Sequence, residues 1–187
     1  AGNDGDYPTM FLDAAQATDY LRNCPKADLL DLDNVITVGH SAGGHLALWV
    51  AGRHKLADSS ALYLENPLAI KGAVALAPIA DLIYGFEQGQ CDGALTVVMG
   101  GEPEDAQQNY ADGSPRELLP LGVPQTHIIG TEDTEMMENT KPYIEAATQA
   151  GDTATLITVP DVGHFEIVDT MSDVWHIVRD AILAYQA

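Results

Sequence analysis

A serine set between glycines is the first part of this sequence equipped for chemistry. Gly39-His40-Ser41-Ala42-Gly43 matches G-x-S-x-G, the pattern of a sharp strand-to-helix turn that holds a serine hydroxyl exposed above a sheet. Such a turn strains the backbone, and small flanking residues let strand and helix approach closely. A hydroxyl is a poor nucleophile until a base takes its proton, and the base needs an acid to orient it. Candidates for both come later: Asp133, ending Gly130-Thr131-Glu132-Asp133, and His164, in Gly163-His164-Phe165. Each of the three lies just past the C-terminal end of an expected strand, where sites form on parallel sheets. Glu132 and Asp161 are competing carboxylates. His40 is a weaker base candidate because the turn should point it away from the hydroxyl, and His176 because it falls inside a helix. His45, in the first turn after the serine, reads as a structural or rim residue. A glycine-rich phosphate cradle is the other use for such a loop, but no Lys follows the glycines and no acidic ribose partner is visible.

The elements that must position these residues can be read from the hydropathy pattern. Pro8 suits the first turn of a helix opened by Asp6-Tyr7-Pro8, whose one face carries Phe11, Ala14, Ala15, Thr18 and Leu21. An acidic connection, 28–34, leads to a strand at 35–38. The helix from Ala42 to about His54 is apolar nearly all round, as expected of one buried between a sheet and a covering layer. Residues 70–76 form a continuous apolar strand buried on both faces, and 83–116 read as loop-rich, with no cap or lid that can be located. Asp81 and Tyr84 are pocket candidates there, with loop structure the default. A strand at 125–130, a helix opened by Asn139-Thr140-Lys141-Pro142 and stopped at Gly151, a strand at 154–159 and a helix over 172–185 complete the pattern. Strands alternating with helices predict an α/β fold: a mostly parallel sheet covered on both faces.

Composition narrows the functions. The chain has 187 residues, long enough for one domain with a real core. Its formal charge is −20, from 28 acidic and 8 basic residues, which argues against nucleic acid and anionic membranes as partners. Scattered acidic residues fit a halophilic source or simply an acidic protein; both stay open. No apolar stretch is long enough to span a membrane and no cleavable signal pattern opens the chain, so a cytoplasmic location is expected. Cys24 and Cys91 form no disulfide framework and have no metal-ligand neighbours; no cofactor or metal is implied.

Gly39-His40-Ser41-Ala42-Gly43-Gly44-His45-Leu46-Ala47 resembles the serine esterases of the α/β-hydrolase fold, especially the branch of kynurenine formamidases and related carboxylesterases. The resemblance extends over nearly the whole chain (Asp13-Ala14-Ala15, Met99-Gly100-Gly101, the acid loop ending at Asp133, and Gly163-His164-Phe165) but only over the later part of the family's domain. It implies a single domain, 1–187, with Ser41 as nucleophile, Asp133 as acid and His164 as base, in the family's chain order. The backbone N–H of Ala42 would be one oxyanion donor. The implied activity is hydrolysis of small carboxylic esters through an acyl-enzyme. Alternatives are an aryl-formamidase acting on N-formylkynurenine-like formamides, or an inert fragment or binding module of the same fold. The family's second oxyanion donor comes from an His-Gly-Gly-type loop before the elbow, and none precedes Ser41; Ala1-Gly2-Asn3-Asp4-Gly5 does not replace it. The strand at 35–38 should therefore be an open sheet edge. The expectation is an N-terminal part lying outside this sequence; a separate polypeptide or a homo-oligomer completing the sheet are the other possibilities.

Overall fold

The computed structural model describes residues 5–186. Four strands form one sheet: β1 (Ile36–His40), β2 (Gly72–Leu76), β3 (Gln125–Gly130) and β4 (Ala154–Val159). They lie in the order β1-β2-β3-β4 and every pairing is parallel, with Val38 opposite Val74 and Val74 opposite Thr126. Parallel neighbours need a crossover between them. Helix α2 (Ala42–Gly52) serves β1 and β2, and α6 (Thr134–Gln149) serves β3 and β4. Right-handed crossovers that progress in one direction put both helices on the same face. Around them lie α1 (Thr9–Asp19), α3 (Leu82–Glu87), α4 (Ala94–Met99), α5 (Gln107–Gly113) and α7 (Trp175–Leu183). None of the helices is long and apolar enough to cross a membrane among the described residues.

The core explains the element choices. Every residue of β2 is buried, as its unbroken apolar run requires. Along α2, Ala47, Leu48, Trp49, Val50 and Ala51 are all buried, because β1 and β2 lie on one side and α1 packs on the other. The α1 contact is made by Phe11 edge-on to Trp49, ring centroids 4.9 Å apart. Strand β1 is the sheet edge, and Val38 on it is 43% exposed.

Several expectations need correction. β1 runs on through Gly39 to His40, so the strand delivers its chain directly to Ser41. β2 starts only at Gly72, and α7 is shorter than 172–185, its tail continuing as a 3-10 turn over Ala184–Gln186. Helix α6 begins at Thr134 rather than Asn139. Asp133 caps it, accepting the Met136 N–H at 3.4 Å. Pro142 therefore sits mid-helix, leaving the Glu138 carbonyl without a helical donor. The stretch 83–116 is helical rather than loop-rich: α3 and α4 have 6 residues each and α5 has 7. Pieces of that length complete fewer than two helical turns, too few for a 3.6-residue period to show.

Candidate active site

Ser41 occupies the junction of β1 and α2 with φ 55° and ψ −120°. That is a sparsely populated region for a residue with a Cβ, costing on the order of 1–3 kcal/mol, so the surrounding packing must impose it. A Cβ on Gly39 would lie 2.0 Å from the Gly43 carbonyl oxygen, so only glycine lets α2 turn back this tightly on the strand. The other close approach is at Gly44, where a Cβ would meet Pro78 at 3.0 Å; Gly43 faces open space among the described residues. Ser41 is tied to the sheet by its N–H, which donates to the Leu76 carbonyl at 2.9 Å.

Asp133 and His164 come together from two loops at the same end of the sheet. The loop after β4 passes over the end of β3, where a Cβ on Gly130 would sit 2.0 Å from the Val162 carbonyl oxygen. Two hydrogen bonds lock the loops to each other: Glu132 N–H to the Val162 carbonyl at 3.0 Å, and Asp161 N–H to Thr131 Oγ1 at 2.9 Å. As a result His164 Nδ1 lies 2.6 Å from Asp133 Oδ2. A carboxylate can only accept, so Nδ1 carries the proton and Nε2 keeps its lone pair for a second partner. Asp133 is 8% exposed, a setting in which an ion pair is weakly screened. Glu132 and Asp161, the competing carboxylates, are both exposed.

His40 packs against the loop of His164. Its Nε2 donates to the His164 carbonyl oxygen at 2.8 Å, and the two rings sit 4.4 Å apart. Burial pushes its pKa below the usual histidine value, with the nearby His164 adding to the effect. It holds the backbone of His164 and brings the chain at Ser41 alongside it. Among the described residues, no hydrogen bond joins the Ser41 hydroxyl to His164; such bonds are commonly long before substrate binds. His45 is fully inside, its Nε2 donating to the Gly113 carbonyl at 2.8 Å, and burial lowers its pKa to about 4. His176 lies exposed on α7, its Nδ1 donating to the Asp173 carbonyl at 2.8 Å. Asp81 caps α3 by accepting the Ile83 and Tyr84 N–H groups, which is the loop role.

Ser41 and Ala42 open onto a cavity of about 140 Å³, walled by Met10, His45, Ile79, Leu82, Cys91, Leu95, Val98 and Met99. Asp81 and Tyr84, the pocket candidates, are not among its walls; Leu95, Val98 and Met99 of α4 are, in the stretch expected to be loop. Asn139 of α6 holds the wall in place. Its Oδ1 accepts Ala80 N–H at 2.9 Å and Asp81 N–H at 3.0 Å, and its Nδ2 donates to the Asp81 carbonyl and to Gln90 Oε1, both at 2.9 Å. Burial raises the Cys91 thiol pKa, and the Glu135 and Asp92 carboxylates push it the same way; the thiol stays protonated, an unreactive wall residue. A larger cavity of about 260 Å³ lies against Arg53, His54, Pro67 and Leu68, beyond the opposite end of α2 from Ser41. Its arginine is already held by Asp19 at 2.6 Å and 2.9 Å, so the serine-bearing cavity is the one with chemistry at hand.

The family profile of the alpha/beta hydrolase fold matches residues 4–167, and the chain belongs to that family. No curated protein sequence matches significantly. Similar solved structures include a thermophilic esterase of Thermogutta terrifontis with propionate bound, at TM-score 0.70 and 21% identity over 96% of this chain and 65% of that one. A truncated carbohydrate esterase from gut microbiota aligns at TM-score 0.72 and 20% identity, over 96% of this chain and 69% of that one. An acetyl ester-xyloside bifunctional hydrolase of Caldicellulosiruptor lactoaceticus aligns at TM-score 0.69 and 20% identity, over 96% and 66%. The chain thus spans about two thirds of the length of these structures. At 20–21% identity the likeness to these structures is one of fold.

Proposed function

We propose that this chain is a serine esterase acting on small carboxylic esters through an acyl-enzyme. The 2.6 Å bond between Asp133 and His164, formed beside the strained turn that carries Ser41, is the observation that carries this reading. Asp133 holds the imidazole with Nε2 unprotonated, and Nε2 takes the proton of Ser41 as Oγ attacks the ester carbonyl. The carbonyl oxygen becomes an oxyanion and accepts the Ala42 N–H, which the turn leaves free at the start of α2. His164, now an imidazolium stabilised by Asp133, gives its proton to the departing alkoxide. Water then enters and attacks the acyl carbonyl as it loses a proton to His164, and the acid leaves as His164 returns that proton to Ser41 Oγ. The acyl group fits the 140 Å³ apolar cavity, which has room for only a few carbons. The esterases among the structural neighbours support ester over formamide; the missing second oxyanion donor points towards the inert alternative, and the Asp133–His164 pair beside Ser41 weighs against it.

The test is reaction with a fluorophosphonate, followed by intact-protein mass, alongside hydrolysis of p-nitrophenyl acetate. One adduct is expected, and both adduct and hydrolysis should vanish in Ser41→Ala. Activity surviving unchanged in Ser41→Ala would overturn the reading.

A further inference from the structure

We propose that Phe165 is a specificity-determining platform for the alcohol half of the substrate, and that it selects a neutral alcohol carrying a ring with an apolar face, a pyranose or an aryl group. This rests on the esterase reading above. Phe165 follows His164 directly and is 71% exposed, although its backbone is well held. Its carbonyl accepts the Val168 N–H at 3.1 Å, and the neighbouring Ile167 is completely buried. The ring stands edge-on to His164, centroids 5.0 Å apart at 86°, and 5.9 Å from His40. With His40 and His164 packed together, the three rings form one cluster in which Phe165 stays largely open to solvent.

The chemistry decides which half of an ester meets that surface. The acyl group is bonded to Ser41 and its oxygen points at the Ala42 N–H; both residues line the apolar cavity, and neither His164 nor Phe165 does. The leaving oxygen must instead lie at His164 Nε2, which protonates it. The alcohol therefore leaves on the His164 side, past the exposed Phe165. An exposed aromatic face stacks well on another ring, aryl or the C–H face of a sugar, and gains little from a thin flexible chain. Asp161, Glu166 and Asp169 are exposed in the same loop, on a chain of net charge −20, so anionic alcohols are repelled.

The chain has three phenylalanines, Phe11, Phe86 and Phe165, so fluorophenylalanine labelling gives an NMR spectrum of three resonances. Phe165→Tyr identifies the one of interest. Titration with methyl pyranoside and, separately, benzyl alcohol should move that resonance and leave the other two in place; which ring moves it names the source. Acyclic propanediol should move none. No shift with either ring, or equal shifts with propanediol, overturns the proposal. A kinetic arm compares kcat/KM for an acetylated methyl pyranoside or benzyl acetate with that for 2-methoxyethyl acetate. The ring-to-acyclic ratio should fall roughly fivefold to tenfold in Phe165→Ala, the size of one aromatic contact, and persist in Phe165→Tyr. An unchanged ratio overturns the substrate role. Ester hydrolysis surviving in Ser41→Ala would instead remove the esterase reading, while the titration, which needs no turnover, still decides the platform.

Discussion

Asp133 does two jobs with one carboxylate, and they can be separated. Oδ2 holds His164 Nδ1 at 2.6 Å, and Oδ1 caps α6 through the Met136 N–H. Asparagine is as good a helix cap as aspartate, but its amide cannot hold the imidazole in the right tautomer with the right charge. Asp133→Asn is therefore expected to lower kcat by on the order of 10⁴ and leave the melting temperature nearly unchanged. Asp133→Ala loses the cap as well and should also cost about 1 kcal/mol of stability. Kinetics and thermal melts on the two variants check this. If Asp133→Asn kept most of its activity, Asp133 would not be the orienting acid. The sequence pointed to Asp133, with Glu132 and Asp161 as competitors that composition alone could not dismiss. Glu132, Asp133 and Asp161 are equivalent in type, and only the crossing of the two loops turns one of them inward.

At the scale of elements, what was legible and what was not follows from length and pattern. β3 and β4 were read with their observed limits, since their apolar runs are bounded by turn residues. The start of α6 was missed because Pro142 suits the first turn of a helix, whereas here it stands mid-helix, four residues after the exposed Glu138. The wall that α4 gives the cavity at Ser41 was missed because a 6-residue helix carries no periodic signal. The motif itself also hid a distinction. Its two glycines look alike in the sequence, yet a Cβ on Gly39 would strike backbone at 2.0 Å while one on Gly43 meets nothing within 4 Å. Gly43→Ala should change stability by less than about 0.5 kcal/mol. Gly130→Ala, which drives a Cβ against the Val162 carbonyl, should destabilise by about 1–3 kcal/mol or more and should impair hydrolysis by shifting the loop of His164. Urea melts and kcat/KM on the two variants measure both effects; equal tolerance at the two positions would show that the β3–β4 loop crossing does not constrain the site.

The whole molecule carries two opposing responses to acid. His45 and His127 are buried and neutral, and burial lowers their pKa values to about 4 and about 3. His127 has little holding it: Nε2 is 3.4 Å from Gln125 Oε1, and Nδ1 is buried without a partner. Unfolded, both would titrate near 6.5. A folded pKa below the unfolded one means that the unfolded chain binds the extra proton. The stability these histidines allow is complete above pH 6.5 and declines as pH falls towards the folded values. By pH 4 the loss is up to about 3 kcal/mol for each. Acid also neutralises carboxylates on a chain of net charge −20, which relieves self-repulsion and acts in the opposite sense. Salt separates the two. At 0.15 M the Debye length is about 8 Å, so repulsion between scattered surface charges is already weak, whereas a buried imidazole is hardly screened. Stability at that salt is therefore expected to fall between pH 6.5 and 4, and more gently at low salt, where relief of repulsion offsets part of the loss. His127→Phe removes one titrating group and keeps a ring beside Tyr143, whose hydroxyl still donates to Gln125 at 2.9 Å. The variant should match the parent near pH 7.5 and exceed its stability at pH 5, as read from urea midpoints at each pH. A parallel decline of the two proteins would mean that His127 does not set the response in this window; Asp19, which Arg53 and the Leu68 N–H hold below the usual range against the opposing effect of burial, loses its contribution only at lower pH.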